Sequence, residues 1–407
     1  MLNRSNSFSS IFKILGGGAL GQAFGFLLLP LITREYSPSS IGQYGIYTSI
    51  ITVLAIVYSM RYEFAIGSAV DGDEVSIVSA AIWLALACML LSYFLIIIGH
   101  FCVPSLLENR FYVYFLPLGG FFAAILQILS FYSIKLQNFN SIAASKGIYG
   151  FSIAILQALL GAFFQFKGSL IVSHSIGQIF SAIVIFPRIL LAKLNSPLHY
   201  IGILVKYSRA AIYLTPAGVI NAMSVAVPIF VIGSRFGNEF AGMLAISQRV
   251  FATPLDLVGT SIGQVFSGKI MDRKIENSVK IADFALYSRI LLAIGVLTVG
   301  CAILMARFSG LFLGEKWTSA GEIFLPVSLI YIARLFGNTF AQSVVLARKE
   351  RLILIVDIFR AIAILMAFLL AKIEFVQLVH LYSLIMVGFY VVSYWLAYSS
   401  TKEGVLE

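Results

Sequence analysis

Long apolar runs, separated by short polar segments, recur along the whole chain. Typical runs are FGFLLLPLIT (24–33), IWLALACMLLSYFLIII (82–98) and AIAILMAFLLA (361–371). A helix needs about 20 apolar residues to cross the hydrocarbon core of a bilayer, and these runs with their apolar flanks reach that length. The pattern predicts twelve membrane-spanning helices, at residues 12–33, 41–62, 76–98, 111–133, 148–166, 168–190, 210–233, 240–266, 284–306, 320–346, 352–371 and 376–398.

Composition and charge agree with a membrane protein. Of the 407 residues, 60% are hydrophobic and 11% are charged, whereas a soluble domain carries roughly a quarter charged residues. The formal net charge is +10. Because most Lys and Arg residues lie in short connections between apolar runs, we attribute this charge to membrane topology and expect no nucleic-acid partner. The chain is predicted to be an all-α polytopic membrane protein.

The distribution of Lys and Arg predicts the orientation of the helices. One alternating set of connections holds seventeen of these residues and the other holds seven. Cytoplasmic loops carry the excess, so both termini are predicted to be cytoplasmic. The longest connection, LAKLNSPLHYIGILVKYSR, lies on the same side near the middle of the chain. It predicts two six-helix bundles, residues 1–195 and 210–407, joined by a cytoplasmic linker at 196–209.

A weak internal repeat supports this division. A shift of 200 residues aligns ITREYSPSSIGQYGI (32–46) with IGSRFGNEFAGMLAI (232–246) without a gap, and three positions are identical, among them Gly42 and Gly242. Since each half holds an even number of predicted helices, the two bundles would be parallel. Many transporters are built from such repeats, with the substrate bound between them near the bilayer midplane.

Several ionisable residues fall inside the predicted spans. Such residues are costly in a membrane and usually face the bundle interior or a water-filled cavity. Arg334 lies near the middle of its span, and Asn338 and Gln342 follow at i+4 and i+8 on the same helical face. We expect this face to line a cavity; the alternative is a hydrogen-bond network between helices.

Two other spans each carry an acid and an arginine. Arg249 and Asp256 share one face of the eighth span, where they could contact a substrate or hold neighbouring helices together. Asp357 and Arg360 are spaced i, i+3 and could simply pair with each other.

Three further candidates are His174, Arg61 and Glu63. His174 lies in IVSHSIGQIF and could relay protons or could serve only as a hydrogen-bonded structural residue. Arg61 and Glu63 lie in SMRYEFAIG, at the end of the second span, where a helix simply reaching water is the alternative to a functional role. The chain contains no P-loop, HExxH or GxSxG motif and no metal-type cysteine spacing. We therefore expect no catalytic residues, no metal and no cofactor.

The N-terminal region carries a family resemblance. GGGALGQAFGFLLLPLITREYSPSSIGQYGIYTSI (16–50), followed by MRYEFAI (60–66), resembles the polysaccharide-transporter branch of the multidrug/oligosaccharidyl-lipid/polysaccharide exporter (MOP) superfamily. These are the Wzx-type flippases of O-antigen and capsule repeat units. The resemblance is strongest over residues 12–70; beyond them it rests on the helix layout and the half-repeat.

The resemblance implies two six-helix bundles around a central, often cationic cavity. The cargo would be an oligosaccharide on undecaprenyl diphosphate, moved across the bacterial inner membrane, with a polysaccharide polymerase as a further partner. A diphosphate needs Arg or Lys partners. The expected cavity residues are Arg61, Arg249, Arg334, Asn338, Gln342 and Arg360. The candidates for coupling to a proton or sodium gradient are Glu63, Asp256, Asp357 and His174.

Two other functions fit the same hydropathy. A cation-coupled multidrug exporter of the superfamily would favour acidic cavity residues, whereas arginines outnumber acids among the deep charges here. An O-antigen polymerase or ligase would carry a large periplasmic loop with catalytic residues, whereas the periplasmic connections predicted here are all short. Both alternatives are therefore less favoured than a flippase.

Overall fold

The computed structural model describes residues 21–67, 69, 73–102, 111–136, 138–164, 168–186, 201–271, 276–347 and 349–403. The first part of the first predicted span, residues 12–20, lies outside these ranges. All regular secondary structure in the described residues is helical, which confirms the predicted all-α class.

The chain folds into two compact units. Unit 1 contains Met1–Tyr36 and Gln43–Ala226, and unit 2 contains Ser37–Gly42 and Val227–Glu407. The boundary lies inside the helix Ser208–Arg235, whereas the sequence pattern placed it in the connection before that helix. The first part of this helix therefore belongs to unit 1 and its last part to unit 2.

Unit 1 is a bundle whose helices cover the first six predicted spans. α7 packs against α5 and α6, and the short α3 packs against α4 and α5. The helices are α1 (Leu29–Glu35), α2 (Pro38–Ser59), α3 (Glu63–Gly67), α4 (Glu74–Cys102), α5 (Leu116–Lys135), α6 (Phe139–Phe163), α7 (Ser169–Ile185) and α8 (Ile201–Lys206), followed by α9 (Ser208–Arg235), which continues into unit 2.

Unit 2 is arranged around one central helix, α13, which packs against α10, α11 and α16. In α13 and the turn before it, 61% of the apolar 18-residue stretch is buried, whereas the corresponding share is 17% in α11 and in α15. The helices are α10 (Asn238–Met271), α11 (Asn277–Arg307), α12 (Ser309–Leu313), α13 (Gly321–Thr339), α14 (Ala341–Leu346), α15 (Glu350–Leu370) and α16 (Phe375–Glu403).

The tenth predicted span, 320–346, is not one helix. α13 ends at Thr339, Phe340 forms a turn, and α14 begins at Ala341. The prediction of a continuous helix from Arg334 to Gln342 was therefore wrong. The apolar pattern continues through the turn, so hydropathy alone does not mark this break.

Helix lengths and surfaces match a membrane environment. Among the described residues, eight helices are long and apolar enough to cross a bilayer, and Ser169–Ile185 and Ala226–Arg235 are shorter apolar helices. In α4 the side chains of Leu90, Leu91 and Phe94 are all more than half exposed. Such a surface would be unfavourable in water and suits lipid contact. The chain is a multi-pass membrane protein.

Gly42 and Gly242, the identical residues of the repeat, meet in unit 2. A Cβ atom on Gly42 would lie 1.8 Å from the carbonyl oxygen of Asn238, and a Cβ on Gly242 would lie 1.9 Å from that of Pro38. Asn238 follows Pro38 by the same 200 residues. The contact is therefore reciprocal, and it brings two helix backbones closer than any side chain would allow.

Candidate functional site

A strained turn positions the first pair of candidate residues, in unit 1. α2 ends at Ser59, and Met60 and Arg61 then adopt left-handed backbone angles, with φ of 42° and 58°. Non-glycine residues seldom adopt such angles, and each costs on the order of 1–3 kcal/mol. The Arg61 amide donates to Ser59 Oγ at 3.2 Å, and α3 begins at Glu63.

This turn brings the Arg61 and Glu63 side chains together. Arg61 Nη1 donates to Glu63 Oε1 at 3.4 Å, and the Glu63 side chain is 0% exposed against 18% for Arg61. A charge-assisted bond is usually about 2.7–2.9 Å long, so this contact is loose. The second carboxylate oxygen, Oε2, is buried and has no hydrogen-bond partner among the described residues.

Gly218 of α9 leaves room for the Arg61 guanidinium. A Cβ atom at this position would lie 2.7 Å from Nε and 2.8 Å from Nη2 of Arg61. On its other side, Arg61 Cζ lies 5.4 Å from the centroid of the Phe64 ring, within the range of a cation–π contact. The guanidinium therefore lies among α9, Phe64 and the buried carboxylate.

His174 of α7 lies between two tyrosines, also in unit 1. Its Nδ1 is 2.9 Å from the Tyr44 hydroxyl, and its Nε2 is 3.2 Å from the Tyr149 hydroxyl. In a neutral imidazole one nitrogen donates and the other accepts, so the two hydroxyls take opposite roles. The Tyr47 ring packs edge-on against the imidazole, and His174 is 5% exposed. His174 is thus buried and lies within hydrogen-bond distance of a tyrosine hydroxyl at each ring nitrogen.

The second set of candidate residues lies in unit 2. Arg334 Nη2 of α13 is 3.3 Å from Asp256 Oδ2 of α10, and the two side chains are 30% and 42% exposed. The Arg334 guanidinium also lies over the Tyr331 ring, with Cζ 5.6 Å from its centroid. Its Nε is buried, and no described residue supplies a hydrogen-bond partner for it. Asp256 therefore joins α10 to α13 through Arg334.

A second ion pair lies on α15. Arg360 Nη2 is 3.0 Å from Asp357 Oδ1, as the i, i+3 spacing predicts. The Arg360 side chain is only 9% exposed, and its Cζ lies 5.4 Å from the centroid of the Tyr390 ring on α16. Because α15 and α16 pack against each other, the pair faces a neighbouring helix.

Tyrosines join these two ion pairs into one polar cluster. Tyr390 lies close to both arginines and both aspartates. Tyr382, about two turns earlier on α16, lies close to both arginines and to Tyr331. The cluster therefore draws on α10, α13, α15 and α16. Sequence reasoning found its charges but missed Tyr382 and Tyr390, whose i, i+8 spacing on one face of the last span was the available signal.

The remaining residues that the sequence suggested for the site are Asn338, Gln342 and Arg249. Asn338 is exposed near the end of α13, and Gln342 lies beyond the break in α14, with a side chain outside what the structure describes. Arg249 is half-buried in α10.

The pairing changes the charge balance inferred from the sequence. Arg61, Arg334 and Arg360 each have a carboxylate partner within 3.4 Å. Counting residues along the chain suggested an excess of arginine. Within these three pairs, however, positive and negative charges are equal.

The sequence matches one known protein family over most of its length. The family model described as polysaccharide biosynthesis protein matches residues 31–322, a range that includes the Arg61 turn and Asp256. The chain belongs to the polysaccharide biosynthesis protein family. A comparison with curated protein sequences gives no match.

Solved transporters share the fold of this family member. The lipid II flippase MurJ in an inward closed conformation aligns with a TM-score of 0.70 at 16% identity, over 92% of this chain and 85% of that chain. An inward-facing multidrug resistance MATE family transporter of the MOP superfamily aligns with 0.65 at 12% identity, over 94% and 96%. A MOP superfamily transporter from Pyrococcus furiosus aligns with 0.57 at 11% identity, over 97% and 96%. The fold is thus that of MOP-superfamily transporters.

Proposed function

We propose that the protein is a flippase for undecaprenyl-diphosphate-linked oligosaccharide repeat units. It moves them from the cytoplasmic to the outer leaflet of the bacterial inner membrane by alternating access, for the synthesis of O-antigen of lipopolysaccharide, capsule or exopolysaccharide. The observation that carries the proposal is Arg334, a partly exposed arginine five residues before the end of α13, the most buried long apolar helix of unit 2. A guanidinium at such a position needs water or an anion to contact.

The cargo explains both the arginines and the rings around them. A diphosphate accepts charge-assisted hydrogen bonds from guanidinium groups. Arg61, Arg249, Arg334 and Arg360 would bind it, with Asn338 and Gln342 as neutral donors. The buried rings of Tyr331 and Tyr390 lie under the Arg334 and Arg360 guanidinium groups and would hold them in place by cation–π contacts. The family description and the shared fold with a lipid II flippase support the same substrate class.

Topology and coupling are part of the proposal. Both termini would lie in the cytoplasm, as the Lys and Arg distribution predicts. A reporter fused after Gly237 should then report the outside and one fused after Leu406 the inside. Movement against a gradient would need a coupling ion, a proton or sodium, and Glu63, Asp256, Asp357 and His174 are the groups that could respond to it.

Gene deletion and matched substitutions test the proposal. Deletion should abolish surface polysaccharide and leave lipid-linked repeat units in the inner leaflet. Arg334→Ala and Arg249→Ala should do the same at normal protein levels, whereas Arg334→Lys should partly restore export. Arg289→Ala is the matched control, because Arg289 is exposed on α11 and belongs to none of the three ion pairs. Normal surface polysaccharide in the deletion strain would contradict the flippase assignment.

A cation-coupled exporter of small molecules is the second candidate. The observation that favours it is the equal number of carboxylates and arginines in the three pairs. An exporter of this kind would leave surface polysaccharide unchanged on deletion and would alter resistance to cationic compounds instead.

A further inference from the structure

The Glu63 carboxylate is buried and only partly satisfied. Its side chain is 0% exposed, one oxygen has a 3.4 Å contact with Arg61, and the other has no hydrogen-bond partner in the part of the chain that the structure describes. An ionised carboxylate in such a place depends on its one cationic neighbour. If Arg61 moved away, Glu63 would lose its only ion-pair partner in the structure.

We infer that Glu63 is a resident counter-anion for Arg61, that an anionic headgroup displaces it, and that Glu63 then takes up one proton. The inference rests on the proposed function, since it takes Arg61 as a headgroup ligand. The proton comes from a hydronium ion or from the acid form of the buffer, whose bond to that proton breaks, and an O–H bond forms on Glu63, which becomes a neutral carboxylic acid. No other bond is formed or broken.

The local geometry favours an exchange of partners by Arg61 rather than a permanent ion pair with Glu63. The contact between Arg61 and Glu63 is long, so it holds the guanidinium loosely. Arg61 remains 18% exposed, so an incoming anion can reach it, whereas Glu63 is enclosed. The left-handed turn at Met60 and Arg61 keeps the two side chains adjacent although they are only two residues apart.

The other titratable groups near α3 leave Glu63 dependent on Arg61. α3 packs against α4 and α5. On those helices, Glu74 and Lys135 pair with each other at 3.8 Å, and Tyr132 packs in the apolar cluster around Tyr62. Neither feature supplies a second cation to Glu63. A single proton on the carboxylate would neutralise Glu63 without any further ligand.

A competing role and a structural role for Glu63 predict opposite effects of Glu63→Gln on the affinity for the headgroup. If Glu63 competes with the headgroup, Glu63→Gln removes the competitor, and the headgroup should bind about three- to tenfold more tightly at neutral pH. If Glu63 only orients Arg61, the same substitution should weaken binding. Gln has the size of Glu, so the comparison changes charge and little else.

Calorimetric titration of purified protein with farnesyl diphosphate in detergent tests the exchange. Titrations in buffers of different protonation enthalpy give the number of protons taken up per bound ligand. Because the diphosphate itself titrates near neutral pH, the informative quantity is the difference between wild type and Glu63→Gln. This difference should be about one proton, and the apparent affinity of the wild type should fall by up to about tenfold per pH unit as pH rises.

Two further variants sharpen the comparison. Gly218→Ala places a methyl group 2.7 Å from Arg61 Nε, and the flexible guanidinium is the part that yields. It should therefore reduce proton uptake while leaving the carboxylate in place. Glu74→Gln is the matched control, since Glu74 is a partly exposed acid paired with Lys135, and it should keep the wild-type uptake.

The possible results distinguish a failure of the proton exchange from a failure of the proposed diphosphate cargo. Equal proton uptake in wild type and Glu63→Gln, or weaker binding by Glu63→Gln, overturns the exchange while the diphosphate cargo stands. A wild-type protein that binds no farnesyl diphosphate overturns the proposed cargo and the exchange with it. Tighter binding by Glu63→Gln together with the loss of about one proton supports both.

Discussion

Replacing Gly42 by Ala tests the reciprocal glycine contact in unit 2. The new Cβ would lie 1.8 Å from the Asn238 carbonyl oxygen, whereas ordinary contacts of such atoms begin at 3.4 Å. The two backbones would therefore have to separate by about 1.6 Å. Overpacking of this kind costs about 1–3 kcal/mol. We expect the upper part of that range, because the obstacle is backbone and cannot rotate away.

Thermal unfolding of the purified protein in detergent measures this cost. A loss of 1 kcal/mol lowers the melting temperature by about 2–4 °C in a domain of 150–250 residues, so Gly42→Ala should lower it by about 5–10 °C. Gly300→Ala and Gly388→Ala are the controls, since a Cβ at either position meets nothing within 4 Å. They should be neutral or slightly stabilising, because Ala favours the helix.

Because the contact is reciprocal, the effects of Gly42→Ala and Gly242→Ala on stability should not be additive. Gly242→Ala should cost about as much as Gly42→Ala, because its Cβ would lie 1.9 Å from the Pro38 carbonyl oxygen. One separation of the two helices relieves both overlaps, so the double variant should be little worse than either single variant. Full additivity, or a Gly42→Ala protein as stable as the Gly388→Ala control, would refute the close contact.

Three shorter predictions concern the candidate residues. In a background without the native cysteines, Arg334→Cys should react with a small soluble thiol reagent faster than Leu335→Cys, since Leu335 is 4% exposed; equal protection would leave Arg334 as a packing residue. His174→Phe removes two hydrogen bonds and should destabilise the protein by about 1–3 kcal/mol, as read from its melting temperature. Hydrogen bonds from Lys206, and to a smaller extent from Tyr207, lower the pKa of Asp73. Because this carboxylate attaches α8, the attachment should be lost as pH falls through the lowered pKa. Hydrogen exchange of α8 would show the loss, and Asp73→Asn should remove the pH dependence.

Hydropathy was sufficient to find the helices because lipid demands apolar surface over a fixed length. Helices cover each predicted span wherever the structure describes it, and their ends differ from the prediction by a few residues. The break at Phe340 was missed because a turn buried between packed helices can be as apolar as the helices it joins. The division into two units falls within α9, because it follows contacts rather than loop length.

The charged residues were found for the same reason, since an ionisable group stands out in an apolar run. Their partners were harder to predict. The i, i+3 spacing of Asp357 and Arg360 is local and gave the correct pair. The partner of Asp256 is Arg334, 78 residues further along the chain, and only the packing of α10 against α13 brings them together. The unpaired oxygen of Glu63 has no sequence signal, because it depends on which atoms surround the carboxylate.

The pairing of arginines with carboxylates has an electrical consequence. The three pairs carry no net charge, so a voltage across the membrane does almost no work on them when the empty protein changes conformation. The proposed cargo would add about two negative charges, or about one if Glu63 takes up a proton. Each elementary charge that crosses 100 mV exchanges about 2.3 kcal/mol with the field. In a cell with a negative interior, about 2–5 kcal/mol per 100 mV would therefore favour outward movement of the cargo, whereas the three pairs would add almost no electrical work to the return of the empty protein.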